Sequence, residues 1–377
     1  MAGALDGVLV ADFTRVLAGP YATMLLADLG ATVVKVERPG SGDDTRAWGP
    51  PFSGNGQSTY YQSVNRNKLS IALDLALAHD LALAHDLARS ADVLAQNHKP
   101  GSLRRFGLDY DSVRADNPGV VYCSITGFGS GAGKDLPGYD LLVQSMGGLM
   151  SITGVDSPTK AGVAVVDVLT GLHSAVAILA ALRHKERTEQ GQHLEVSLLG
   201  ALLSSLVNQS SAYVGAGVVP GLLGNAHPSI APYEVYRTAD RPMVIAVGND
   251  GQFGRLAGAI GEPGLAQDPR YVTNADRVAH RADLTVDLER RLTCAGADDW
   301  QEVLTAVGVP CGPINSIEQA FALADDLGLS PTVEIDGVQQ VANPVTYDIT
   351  PATYRVPPPE VDEGRDRVLS LLRSRQR

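Results

Sequence analysis

The chain has 377 residues, 44% of them hydrophobic and 19% charged, which suits a globular protein of about two domains with a sizeable core. Thirty Lys and Arg against forty-two Asp and Glu leave a formal charge of −12, which argues against nucleic acid or an anionic membrane surface as the main partner. Cys123, Cys294 and Cys311 lie far apart, without the spacing of a disulfide framework or a metal site.

No metal is therefore expected, and free thiols point to a reducing compartment. The N-terminus has no basic segment followed by an apolar stretch, and no run approaches the ~18 apolar residues of a membrane span. The expected setting is the cytoplasm, with no membrane partner.

Residues 7–13, GVLVADF, read as a buried strand. Pro20 opens a helical stretch that Gly30 stops, and residues 31–37, ATVVKVE, read as the next strand. This is a βαβ unit, which implies a parallel sheet. The dinucleotide fingerprint G-x-G-x-x-G is missing, so a nicotinamide or flavin dinucleotide is not expected. The loop 38–46 follows at a strand's carboxyl end, where open α/β sheets bind ligands, and Arg38 there either meets a phosphate or is a solvated loop arginine.

Residues 70–75 form another strand pattern, followed by the duplicated hexamer DLALAH at 74–85. A period of six fits no helical face, yet the Ala and Leu content predicts a helix with surface histidines. Residues 120–126, VVYCSIT, read as a strong strand, and 127–138, GFGSGAGKDLPG, as a phosphate nest or a loop tip. The glycine-rich stretch 215–224 reads as a linker before a strand-rich segment.

Residues 162–171, GVAVVDVLTG, hold the chain's least expected acid. Asp167 sits between a strand-like run, Val163 to Val166, and a long apolar helix pattern. A carboxylate there is capped, paired or used. It can cap the helix, or act as a nucleophile that the helix dipole keeps ionised at neutral pH.

Several stretches together are highly specific: LDGVLVADFTRVLAGPYATMLLADLGATVVKVERPGSGD, NRNKLSIALDL, NHKPGSLRRFGLDYDSV, PGYDLLVQSMGGLMSITG, GVAVVDVLTGLHSAVAILAAL, GNAHPSIAPYEVY and GVPCGPINS. With them the chain resembles, nearly end to end, the class III CoA-transferases. That family includes formyl-CoA and carnitine CoA-transferases and the α-methylacyl-CoA racemases.

The resemblance implies that Asp167 is the nucleophile, passing through mixed anhydrides and an aspartyl-CoA thioester. It implies a glycine loop that closes over the site, matched here by Gly248, Gly251 and Gln252, with Asn249 and Asp250 in place of two glycines. CoA contacts carry over to Val16, Arg38, Asn97, His98, Arg105 and Phe106. Coenzyme A enters as substrate, with no further cofactor.

Tyr139 separates the branches, because the racemases carry a histidine there as one of two bases and a phenol is a poor substitute. Leu17 replaces a glutamine of the formyl-CoA enzymes, which argues against formate or oxalate. The His227 stretch is most similar to the dicarboxylate branch, and Arg46, Arg66 and His227 are candidates for the far carboxylate.

The expected fold is α/β. A large Rossmann-like domain with a parallel sheet spans 1–200, completed by 345–377. Residues 201–225 link it to a small α+β domain at 226–325, and 326–344 return. The resemblance implies an interlocked homodimer acting on an acyl-CoA and a small carboxylic acid. A racemase of the same fold and a non-catalytic CoA-binding subunit are the alternatives.

Overall fold

Strand β1 (Leu9–Phe13) is apolar on both sides. Leu9, Ala11 and Phe13 enter one core cluster and Val10 the other. A strand buried on both faces belongs in a parallel sheet covered by helices. The computed structural model, which describes residues 3–375, has that sheet.

Strands β2 (Thr32–Glu37), β3 (Lys68–Ala72), β4 (Val93–Gln96), β5 (Val121–Thr126) and β6 (Gln192–Ser197) join β1 in the order β3-β2-β1-β4-β5-β6, all parallel. The expected α/β fold is present. The strand order reverses between β1 and β4, so a crevice opens outside their carboxyl ends.

The run Val163 to Val166 is not a strand. A helix already begins at Val165 and continues to Thr188, and Val163 is exposed. By length and mean composition alone this helix could cross a membrane, although Asp167, Thr170, His173 and Ser174 interrupt its apolar run. Its buried residues Val166, Ile178, Ala181 and Leu182 instead belong to the core cluster on one sheet face. Gly171 lets the helix Ala18–Asp28 approach, since a Cβ there would lie 2.7 Å from the carbonyl oxygen of Ala18.

The duplicated hexamer lies largely in the helix Ala78–Ser90, where Asp80, Ala84, Leu87 and Ala88 are buried. Those spacings are helical, so one face of the repeat packs and its period of six is ignored.

The chain divides into two units. The first comprises residues 3–149, 160–219 and 330–375 and holds the parallel sheet, with a hairpin of β10 (Thr332–Ile335) and β11 (Val338–Val341). The second comprises Met150–Thr159 and Pro220–Leu329. Its antiparallel strands β7 (Tyr233–Tyr236), β8 (Met243–Ala246) and β9 (Cys311–Pro313) pack with helices around Tyr236, Ile245, Phe253, Leu256 and Leu288.

Candidate active site

The loop after β1 is built on buried charge. Asp12, Lys35, Asp43 and Lys68 have no side-chain exposure. Lys68 Nζ donates to Asp12 Oδ2 at 3.1 Å, and Lys35 Nζ to Asp43 Oδ2 at 2.8 Å. Burial pushes the Asp12 carboxyl up, but the Lys68 and Lys35 charges and the hydroxyls of Thr14 and Thr23 overcome this and hold it down at about 2.

Asp43 in turn accepts the N–H of Val16, at 3.3 and 3.2 Å from its two oxygens. Val16 has φ +72°, a costly conformation for a β-branched residue, and this bond helps to hold it. Across the switch point, the Asn97 amide accepts from Arg15 N at 2.9 Å and donates to Arg15 O at 2.7 Å. The Asn97 side chain thus clamps the loop after β1 to the loop after β4.

These loops frame a cleft of about 320 Å³ that brings together Val16, Leu17, Asn97, His98, Tyr139 and Asp167. A second cavity of about 380 Å³ shares Arg15 and His98 with it and gathers Arg38, Arg105 and Phe106. All six residues expected to contact CoA therefore line two cavities that meet at His98. Burial, then the Arg15 charge, drive His98 down to about 4 against a hydrogen bond to the Phe13 carbonyl, leaving a neutral ring at pH 7. Arg38 pairs with Asp44, and the Arg105 guanidinium lies 4.5 Å from the Phe106 ring centre.

Asp167 lies in the first turn of the helix Val165–Thr188, but it is not the cap. Asp140 Oδ1 accepts the N–H groups of Val166 and Asp167, at 2.8 and 3.2 Å. Nor does the helix end keep Asp167 acidic. Burial pushes its carboxyl up to about 7, and the Asp140 charge adds to the rise. Asp140 takes the hydrogen bonds that would otherwise favour ionised Asp167.

The glycine loop between β5 and Tyr139 has a tight neck. A Cβ on Gly127 would meet the Cα of Gly138 at 2.4 Å, and one on Gly138 would meet the Cα of Gly127 at 2.7 Å. The neck delivers Tyr139 and Asp140 directly beside the cleft. Tyr139 is 60% exposed. The loop also lines the cleft, with Lys134 among its residues.

Two of the proposed partners for a far carboxylate are used elsewhere. Arg66 is buried and bidentate to Asp28 at 2.9 and 2.6 Å, and Arg46 is bidentate to Glu37 at 2.8 and 2.7 Å. Neither lines the two cavities; the cations that line the cleft are Arg15, Lys99 and Lys134.

Gly248, Gly251, Gln252 and His227 belong to the second unit. There Gly248 N donates to Gln252 Oε1 at 2.7 Å and Gln252 N to Asn249 Oδ1 at 2.9 Å. Asp250 pairs with the buried Arg277 at 2.8 Å. The two residues that replace glycines thus cap and anchor a helix start. His227 Nδ1 accepts from Ser229 N. Among the described residues no group of three or more His, Cys, Asp or Glu is placed to hold a metal.

The family described as CoA-transferase family III matches residues 5–366. This chain belongs to that family. It is similar to a succinate–glutarate CoA-transferase of Agrobacterium fabrum, with 45% identity over 99% of this chain and 96% of the relative. It is similar to an acetyl-CoA:oxalate CoA-transferase of Acetobacter aceti, with 39% identity over 91% of this chain and 89% of that one. Among solved structures it resembles a CaiB/BaiF family protein from Brucella suis, with TM-score 0.90 and 41% identity, covering 99% of this chain and all of that one.

In this family III CoA-transferase, sequence reasoning passed over Tyr60. Its hydroxyl is pushed up to about 12 by burial and then by the charges of Asp167 and Asp140, so it lies within electrostatic reach of both acids. The Trp48 ring meets it edge-on at 5.1 Å. A neutral phenol can donate a hydrogen bond where carboxylate charge gathers. Neither period nor motif in STYYQ marks Tyr60. The capping role of Asp140 had one visible signal, its place directly after the glycine-rich loop.

Proposed function

We propose that the chain moves CoA from an acyl-CoA, succinyl-CoA first among candidates, to a dicarboxylate acceptor, with Asp167 as the covalent nucleophile. The observation that carries this reading is a carboxyl group, that of Asp167, lining the cleft at the sheet's switch point together with Val16, Asn97 and His98. The relatives' names support dicarboxylates as substrates. The oxalate-active relative, also 39% identical, keeps short diacids in the acceptor panel.

The chemistry balances in four steps. An Asp167 carboxylate oxygen attacks the thioester carbonyl, the C–S bond breaks, and CoA leaves as thiolate with a mixed anhydride formed. The thiolate attacks the aspartyl carbonyl, giving an aspartyl-CoA thioester and releasing the donor acid. The acceptor carboxylate attacks that thioester, forming a second anhydride and freeing thiolate again. The thiolate then attacks the acceptor's acyl carbonyl, which restores the Asp167 carboxylate and releases the new acyl-CoA.

Residues of the chain have separable duties in this scheme. Val16 and His98 line the path of the pantetheine arm, and Arg38, Arg105 and Phe106 serve the nucleotide end through charge and stacking. Lys134, Lys99 and Arg15 supply positive potential for carboxylates. CoA is a substrate, and the reading needs no other cofactor and no metal.

A homodimer is part of the proposal. Apolar side chains stand exposed in the first unit, including Leu172, Val176 and Leu203, with Val214 at 83%, as surface awaiting a second copy does. The free cysteines suit the cytoplasm.

The test is incubation with succinyl-CoA followed by hydroxylamine or borohydride, with peptide mapping of the adduct, and a panel of acceptor acids. Modification at Asp167 and transfer to a dicarboxylate are expected. Turnover without any adduct at Asp167 would overturn the covalent role.

A further inference from the structure

Beside the cleft lies a third cavity, of about 250 Å³, that shares Lys99, Pro100 and Thr126 with it. Its floor crosses three neighbouring strands. Gln96 ends β4, Ser124 lies beside it on β5, and His193 comes from β6. Gln96 and Ser124 are 8% and 7% exposed. The His193 ring stacks on Tyr110 at 4.7 Å and meets the edge of Tyr122 at 5.5 Å.

The hydrogen bonds among these residues form a chain, and the amide of Gln96 sets the direction of its first two links. His98 N–H is a fixed donor, and it points at Gln96 Oε1 at 2.8 Å. The other end of that amide is therefore Nε2, which donates to Ser124 Oγ at 2.9 Å. Ser124 Oγ lies 2.9 Å from His193 Nε2, which the described residues offer as an acceptor for its proton. On that assignment the ring is neutral with its proton on Nδ1, since only a bare Nε2 accepts.

We propose that His193 is a positioning residue for the acyl-CoA cleft: by accepting the Ser124 proton it orients Ser124 and Gln96, and so holds the His98 backbone where the cleft and the nucleotide cavity meet. The inference rests on the reading of that cleft as the CoA site. His193 does not itself line the cleft that holds Asp167, so its effect falls on binding and not on the chemical steps.

The charge around the ring sets when the relay works. Burial favours the neutral ring, while Glu195 on its own strand and Asp111 from the helix Tyr110–Asp116 oppose this. Tyr110, Tyr122, Asp109 and Lys99 complete the titratable groups of the cavity. Protonation at low pH turns Nε2 into a donor, leaves the Ser124 proton without its acceptor, and loosens the relay.

The experiment compares His193→Phe, which keeps a stacking ring but no acceptor, with His193→Gln, whose amide oxygen reaches the place of Nε2. Steady-state kinetics with succinyl-CoA and a dicarboxylate are measured from pH 5.5 to 8.5. The loss of one hydrogen bond predicts a KM for acyl-CoA raised about fivefold in H193F with kcat within about twofold, and recovery in H193Q. KM in the wild type should rise toward low pH, and in H193Q it should stay level. An unchanged KM in H193F, or equal damage in both variants, overturns the proposal. Nitrogen NMR of wild-type His193 should show an unprotonated Nε2 at pH 7.5, and a protonated Nε2 overturns it even if no turnover is found. A wild type that neither binds nor transfers CoA sinks the functional reading itself, while an active wild type with an indifferent H193F sinks only the relay.

Discussion

Asp140 and Asp167 divide one helix end between them. Asp140 accepts the N–H groups of Val166 and Asp167, and its second oxygen accepts from Gln144 Nε2 at 2.6 Å. Asp167, on the same turn, is left with the burial and with the Asp140 charge, which together raise its carboxyl to about 7. A carboxylate poised near neutral pH is a stronger nucleophile than one stabilised by a cap, because less hydrogen bonding must be given up on attack.

The pH dependence of transfer follows from this pair. In the proposed mechanism the attacking form of Asp167 is ionised, so kcat/KM should fall as pH drops through about 7. Asp140→Asn removes the neighbouring charge, so the midpoint should move lower. A pH profile of both proteins checks this, and a midpoint that stays put or rises counts against Asp140 as a cause. The variant also places an amide N–H against Gln144 Nε2, so a stability loss of about 1 kcal/mol should accompany the shift.

Asp167 should also lower stability when ionised. Its folded carboxyl binds a proton up to about 7, whereas the unfolded group releases it near 3.8. The folded state therefore holds more protons in that window, and stability falls as pH rises from about 4 through 7. Asp167→Asn cannot ionise. It should abolish transfer and raise Tm over the wild type by more at pH 8 than at pH 5, as thermal melts at the two pH values would show.

The neck of the glycine loop admits no side chain. Gly138→Ala would put a Cβ 2.7 Å from the Gly127 Cα, backbone against backbone. The neck must open and carry Tyr139 and Asp140 with it. We expect transfer to drop by at least tenfold while CoA still binds, measured by kinetics beside calorimetric titration. Wild-type activity in this variant would show that the neck does not place Asp140.

The buried charges under the β1 loop are a separate test. Lys68→Met leaves Asp12 without its closest cation in a fully buried site. Removing one partner of a buried pair costs about 3–5 kcal/mol. Urea unfolding at pH 7 should show that loss, and a variant as stable as the wild type would mean that the network does not depend on the pair. Lys35 remains next to Asp43, so the Val16 conformation should survive where the protein folds.

Much of the fold is legible along the chain, because parallel strands buried on both faces announce themselves as short aliphatic runs separated by helices. Residues 7–13, 31–37 and 120–126 are such runs. Val163 to Val166 has the same composition and is different in structure. Its fate depends on Asp140, more than twenty residues earlier, whose carboxylate starts a helix at Val165. Arg46 and Arg66 read as candidates for a far carboxylate because nothing local marks their partners, Glu37 on β2 and Asp28 at the end of the first helix.

By itself the sequence determined the α/β class, the family and the identity of Asp167 as the acid to explain. These rest on local composition, on motif spacing and on residue type, all of which survive without coordinates. Tertiary structure alone decided that Asp140 is the cap and Asp167 the strained acid. It also decided that Tyr60 stands near both, and that His98 joins two cavities. Burial and charge act through space with a reach of a few ångströms, and the chain order does not encode which distant groups fall within it.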